Sequence, residues 1–144
     1  MADLPNLHPK VAASLAKWHA MVESKNLDDI GGIIHPDATF RSPMAFKPYH
    51  SAQAVMLLLR TVLTVFEDFA YHRQLASGDG LSVVLEFSAR VGDKSLKGID
   101  LIQFDADGLI TDFEVMVRPI NGLQALGGEM GARLAHLLPA YKAL

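Results

Sequence analysis

Between residues 8 and 25 the apolar positions Val11, Leu15, Trp18 and Val22 are spaced four, three and four apart, the stripe of an amphipathic helix. Pro9 suits its first turn and Asn26 ends it. A short second helix is predicted over residues 27–34, with Asn26 as N-cap, Asp28 and Asp29 in the first turn, and Pro36 as the stop. Residues 38–42 read as a short strand closed by Pro43. Ser51 is a suitable N-cap for a third helix, whose apolar stripe runs through Ala54, Val55, Leu58, Leu59, Val62 and Phe66. After Glu67 the rhythm changes to that of strands, predicted over residues 69–76, 81–91, 95–104 and 109–118. Their connections, Ser77-Gly-Asp-Gly80, Gly92-Asp93 and Asp105-Ala-Asp-Gly108, carry the Gly and Asp that tight hairpins favour, so the strands form an antiparallel meander. Strands of this length twist and curl. From Asn121 the pattern is helical again, with Leu123, Leu126, Met130, Leu134 and Leu137 on one side, and Gly127 and Gly128 weakening its middle.

Composition adds a question of where the apolar material goes. Half of the 144 residues are hydrophobic and 20% are charged. A single domain over residues 1–144 is expected, and a domain of this size buries roughly 68–70% of its unfolded surface without help from a metal or disulfide. The surplus points to an internal cavity or a subunit interface. With no cysteine, disulfide and thiolate chemistry are excluded. The start MADLPNLHPK lacks the basic and apolar regions of a signal peptide, and no apolar run nears the roughly twenty residues of a membrane span. A cytoplasmic location is expected, with no membrane partner. Net charge is −3 and Lys and Arg are not clustered, so nucleic acid is not expected as a partner either.

Helix, short helix, strand, long helix and four-stranded meander is also the order of the cone-shaped nuclear-transport-factor-2-like superfamily. His35-Pro-Asp-Ala-Thr-Phe-Arg-Ser-Pro43 resembles that superfamily's passage from short helix to strand. Gly98-Ile-Asp-Leu-Ile-Gln-Phe-Asp-Ala-Asp-Gly108 is similar to its penultimate strand and hairpin, and Leu109-Ile-Thr-Asp-Phe-Glu-Val-Met-Val-Arg-Pro119 to its last strand. The likeness spans nearly the whole chain. It implies an α+β fold in which a curved antiparallel sheet wraps on the N-terminal helices and encloses a pocket. Ketosteroid isomerases, SnoaL-like cyclases and limonene epoxide hydrolases share that fold, so the likeness speaks to fold more than to activity.

Against the ketosteroid isomerase pattern the comparison splits. Asp100 falls at the strand position of that enzyme's protonated acid, Ser42 at the position of its aspartate base, and Trp18 near its tyrosine. A neutral serine does not abstract a proton from carbon, and an indole N–H donates poorly beside a phenol. Steroid isomerisation by that mechanism is disfavoured. An epoxide hydrolase relay would need an Asp–Arg–Asp set that the sequence does not bring together.

With Asp100 pointing inward, strand alternation sends Ile102 and Phe104 to the same side. The same reading puts Asp112, Glu114 and Met116 inward from the last strand, and Val83, Leu85 and Phe87 from an earlier one. Trp18, His19 and Val22 would form one wall, and Leu58 and Val62 another, with Ser42 among the few polar groups. Asp100 is the candidate acid or base and Glu114 its candidate partner. The plainer reading is a structural carboxylate hydrogen-bonded to backbone or paired with Arg41, Arg73 or Arg118. A one-residue slip in register would turn Glu114 to the other face. His8, His19, His35, His50, His72 and His136 are scattered without metal-ligand spacing, so no metal or other cofactor is expected. On the opposite face Val84, Glu86, Ile99, Leu101, Phe113, Val115 and Val117 would form an apolar surface, and a homodimer through the sheet is expected. The leading expectation is a SnoaL-like domain binding a small apolar molecule, with isomerase, cyclase or hydratase chemistry at Asp100. A non-catalytic binding or carrier module is the alternative, followed by an interaction scaffold whose cone is filled by its own side chains.

Overall fold

The computed structural model describes residues 4–134. Helix α1 spans Pro9–Ser24, a 3-10 turn Ile30–Ile33, strand β1 Ile34–Arg41, helix α2 Ala52–Val65, strands β2 to β5 Glu67–Ala76, Ser82–Val91, Lys94–Phe104 and Ile110–Arg118, and helix α3 Ile120–Leu134. The expected hairpins form, and the four later strands are an antiparallel meander. The sheet is nevertheless mixed. Its order is β1-β5-β4-β3-β2, and β1 lies parallel to β5.

Several ends are set as their residues dictate. Ser51 caps α2 by accepting from the backbone N–H of Ala54. Lys25, left-handed at φ 56°, closes α1, and its N–H reaches the carbonyls of Met21 and Val22. The second helix is shorter than expected, because Asn26 accepts from Asp28 in a turn of its own and the 3-10 turn begins at Ile30. Pro36 does not break the chain but sits inside β1, at the edge of the sheet, where its missing N–H costs no ladder bond. Leu137 of the expected last stripe lies outside the described residues.

The core fills the space between the sheet's concave face and α1 and α2. Val11, Leu15 and Trp18 from α1 and Val55, Leu58 and Leu59 from α2 meet Val83, Leu85, Phe87, Ile102 and Phe104 from the sheet. The β4–β5 turn holds α1 in place: Gly108 lies so close to α1 that a Cβ there would strike the Lys10 carbonyl and Ser14 Oγ, and Ser14 donates to the Gly108 carbonyl at 2.5 Å. Gly98 on β4 is a second close approach, here to β5 and β3. A Cβ there would run into the Met116 carbonyl and the Phe87 ring.

One expectation is corrected in this sheet. Gln103 pairs with Asp112 but Phe104 pairs with Ile110, so Thr111 is an extra residue on β5. Such a bulge inverts the alternation from that point onward. Ile110 is buried, yet beyond Thr111 the inward residues are Phe113 and Val115, expected outside, while Asp112, Glu114 and Met116, expected inside, turn to the outer face. The outer face is accordingly less apolar than expected. Val84, Ile99, Leu101 and Met116 share it with an ionic cluster in which Glu86 meets Arg73 at 2.6 Å and Lys97 at 3.2 Å. Those cations hold the Glu86 carboxyl down at about 2, the Arg73 hydrogen bond being the main cause.

Candidate functional site

Asp100 sits at the middle of β4, opposite Leu85 on one side and Val115 on the other, and is 6% exposed. Its cross-strand neighbours Leu85 and Val115 are apolar and offer its carboxyl no side-chain partner. The partner comes instead from β2. The Tyr71 hydroxyl donates to Asp100 Oδ2 at 2.6 Å, and Trp18 Nε1–H donates to the Tyr71 oxygen at 3.0 Å. The result is a directed chain: indole to phenol to carboxyl. Among the described residues no protein donor reaches Asp100 Oδ1.

The electrostatics follow from burial. Desolvation raises the Asp100 pKa to about 7, against which the Tyr71 hydrogen bond pulls in the other direction. Asp100 is thus divided between acid and carboxylate near neutrality, the condition suited to general acid–base work. Tyr71 is raised well above its ordinary value, by burial first and then by the neighbouring carboxylate, so it stays a neutral donor.

Asp100 and Tyr71 border a cavity of about 170 Å³. Trp18, Phe113 and Val115 form its base, and Leu58, Leu59 and Val62 of α2 one flank. Leu126 and Met130 of α3, with Met44, cover its other end. Ser42 also borders it, but its Oγ accepts from the Met44 N–H and serves the turn. Asp100 is the one carboxyl group among the described residues that line this space.

Of the expected pocket residues, Trp18, Ser42, Leu58, Val62 and Asp100 line the cavity. Val83, Leu85, Phe87 and Ile102 face inward but are packed beneath it as core. His19 and Val22 line a neighbouring cleft, His19 bonding Gln74 at 3.0 Å. Burial lowers the His19 pKa, so the ring is neutral at pH 7. Glu114 and Met116 do not belong to the cavity, since the Thr111 bulge sends both outward, and Met116 is 44% exposed. The expected Asp100–Glu114 pairing is therefore withdrawn. The arginines proposed as structural partners are occupied elsewhere in two cases: Arg41 bonds Asp112 at 3.0 Å, and Arg73 bonds Glu86.

Tyr71 was not among the expected site residues. Its signal was present in Phe69-Ala-Tyr71, where alternation puts both rings on the inner face against Phe87. The isomerase comparison directed attention to α1 for a tyrosine, and the hydroxyl arrives from β2. Tyr71→Phe is expected to push the Asp100 pKa above its present value of about 7 and to leave the Trp18 N–H without its acceptor. The second effect should cost about 1–3 kcal/mol. NMR titration of the Asp100 carboxyl and urea unfolding would check the pair of effects, and an unmoved titration would show that Tyr71 does not tune Asp100.

Comparison with known proteins agrees with this architecture. A family model described as SnoaL-like domain matches residues 15–113. The crystal structure of a steroid delta-isomerase from Pseudomonas aeruginosa is 64% identical, covers 95% of this chain and 99% of that chain, and superposes with a TM-score of 0.91. An uncharacterised protein with a cystatin-like fold from Silicibacter pomeroyi DSS-3 is 30% identical over 96% of this chain and 95% of that one, at a TM-score of 0.84. The epoxide hydrolase/cyclase-like enzyme SalBIII, at 17% identity over 78% of this chain and 93% of that one and a TM-score of 0.63, shares the fold. Among curated proteins no match is found. Nuclear-transport-factor-2-like and cystatin-like structures therefore surround this chain, which belongs to the SnoaL-like domain family.

Proposed function

We propose that the protein is an acid–base enzyme that takes a small, largely apolar carbonyl compound into the cavity and moves a proton on its carbon skeleton through Asp100. The observation that carries this reading is a buried carboxyl, the one carboxyl group among the described residues lining an apolar cavity, with a pKa raised to about 7 and with Oδ2 held by Tyr71. In the carboxylate form Oδ1 accepts a proton from a carbon next to the carbonyl, and the C–H electron pair moves onto the carbonyl oxygen as an enolate. The protonated acid then returns it to the same or a conjugated carbon. Tyr71, fixed by Trp18, holds Oδ2 and keeps the carboxyl in one orientation. Proton return to a different carbon is isomerisation, the activity named for the Pseudomonas aeruginosa relative. Two copies pairing through the outer sheet face, by way of Val84, Ile99, Leu101 and Met116, belong to the same reading.

The second reading is a non-catalytic binding or carrier module. Ser42 at the position of the isomerase base favours it, because a single carboxyl must serve as both base and acid. Proton exchange separates the two readings without knowledge of the natural substrate. With 2-decalone in deuterium oxide, the protein is expected to speed deuterium uptake at the carbons beside the carbonyl, with a rate that rises with pH and levels off above about 7. Removing such an acid–base group costs on the order of 10²–10⁴ in rate, so Asp100→Asn should exchange at nearly the uncatalysed rate. Equal exchange in both proteins would leave the carrier reading standing.

A further inference from the structure

The cavity around Asp100 has a neighbour. A cleft of about 590 Å³ opens between the last turns of α1 and the start of β2, and Leu63, Phe66, Phe69 and Tyr71 line both spaces. The two are separated by the thickness of these side chains. Phe66 and Phe69 stack with centroids 5.5 Å apart, and Phe69 meets the edge of Tyr71 at 4.9 Å. Tyr71 therefore has two exposures: its hydroxyl on Asp100 and its ring against the cleft, where His19 touches it edge-on at 5.2 Å.

The wall stands on an edge of the sheet where the pairing is irregular. β2 is an edge strand, and its pairing with β3 slips between Glu67 and Ala70 and again between Tyr71 and Gln74. Asp68, between the two phenylalanines, is left-handed at φ 53°, a conformation that costs a non-glycine residue about 1 kcal/mol or more. The inner cavity is also small. Pockets for small molecules typically measure about 300–1,000 Å³, and 170 Å³ falls short of that range. The cleft beside it is larger, at about 590 Å³.

We infer that the cleft is a second subsite, reached through the Phe66–Phe69 wall, and that the ligand is an elongated, uncharged molecule with its apolar, carbonyl-bearing end at Asp100 and a neutral polar tail in the cleft. The lining of the cleft decides the tail's chemistry. Asp68 is engaged by Arg90 at 3.0 Å and His19 by Gln74, and the remaining charges are the opposed Glu23 and Lys25. A charged tail would be attracted by one and repelled by the other, whereas a hydroxyl can donate to Glu23 and accept from Lys25.

This inference rests on the cavity binding an apolar carbonyl compound, and the test separates the two. Trp18 is the sole tryptophan of the chain and lines the cavity, so its fluorescence reports occupancy. Two probes are titrated: 2-decalone, and 2-decalone carrying a 3-hydroxypropyl group at the far ring. Both are expected to quench Trp18, the tailed probe the more tightly. Val22→Phe, which plugs the cleft from α1 without touching the cavity, and Glu23→Ala, which removes a polar partner, should each weaken the tailed probe about tenfold and leave 2-decalone unchanged. Unchanged 2-decalone affinity also shows that the variants fold. If the tailed probe binds both variants as well as the parent, its tail leaves past Met44 and α3 and the second subsite is refuted. If neither probe quenches Trp18 in the parent, the binding reading falls and the subsite with it.

Discussion

Asp100→Asn is expected to abolish a fall in stability of on the order of 4 kcal/mol that the parent protein shows as pH rises from about 4 to about 7. The carboxyl has an ordinary value of 3.8, which the unfolded chain keeps, and about 7 in the fold. Between those values the folded state binds more protons than the unfolded state. Stability contributed by the neutral acid is complete below about 4 and is lost as pH rises through about 7. Each pKa unit is worth about 1.4 kcal/mol, which gives the size of the effect. Asparagine stays neutral throughout and still offers an oxygen to Tyr71. His19, lowered by burial, acts in the opposite sense but is common to both proteins, so the difference between them isolates Asp100. Urea unfolding at half-unit steps of pH would measure it. Parallel curves for the two proteins would mean that Asp100 is not desolvated as described. The same buried carboxyl thus links the proposed proton transfer to a cost, since its desolvation takes stability from the fold at neutral pH.

The second large effect concerns β5. Phe113→Ala is expected to cost about 3–5 kcal/mol, while Glu114→Ala next to it should change stability by no more than about 0.5 kcal/mol. Phe113 is 1% exposed, meets Trp18 edge-on at 5.4 Å and stacks on Phe40 at 6.0 Å. Removing the ring also takes away the floor under Trp18, so the cavity should admit bulkier ketones. Glu114 faces outward, where its loss leaves no hole. Chemical denaturation of the two variants checks the ordering. A larger loss for Glu114→Ala would place the bulge elsewhere and restore strict alternation from Ile110.

These two residues also mark where the sequence was readable and where it was not. Asp100 could be found because Gly98-Ile-Asp-Leu resembles the isomerase strand that carries an inward acid, and once it points inward alternation takes Ile102 and Phe104 with it. Element order and hairpins were legible for a local reason, since Ser51, Gly92 and Gly108 act on their immediate neighbours. Glu114 was misplaced because a bulge depends on how two strands settle against each other, and nothing in Leu109-Ile-Thr-Asp announces that Thr111 is supernumerary. Tyr71 was missed for a related reason. Its importance lies in a partner 29 positions away and an indole 53 positions away, a meeting made by the curl of the sheet. Parallel pairing of β1 with β5 was equally invisible, because it joins segments from opposite ends of the chain.

That last pairing sets the order in which the protein can be completed. β1 has β5 as its single neighbour in the sheet, so it has no place to bind until everything through β5 has left the ribosome. The meander can form hairpin by hairpin during synthesis, but β1 waits beside it, and Phe40 cannot reach the Phe113 ring it stacks on until then. The Phe40–Phe113 side of the core is closed by that late event. A chain arrested before residue 110 would therefore leave β1, with Phe40 on its buried side, without the one strand that pairs with it.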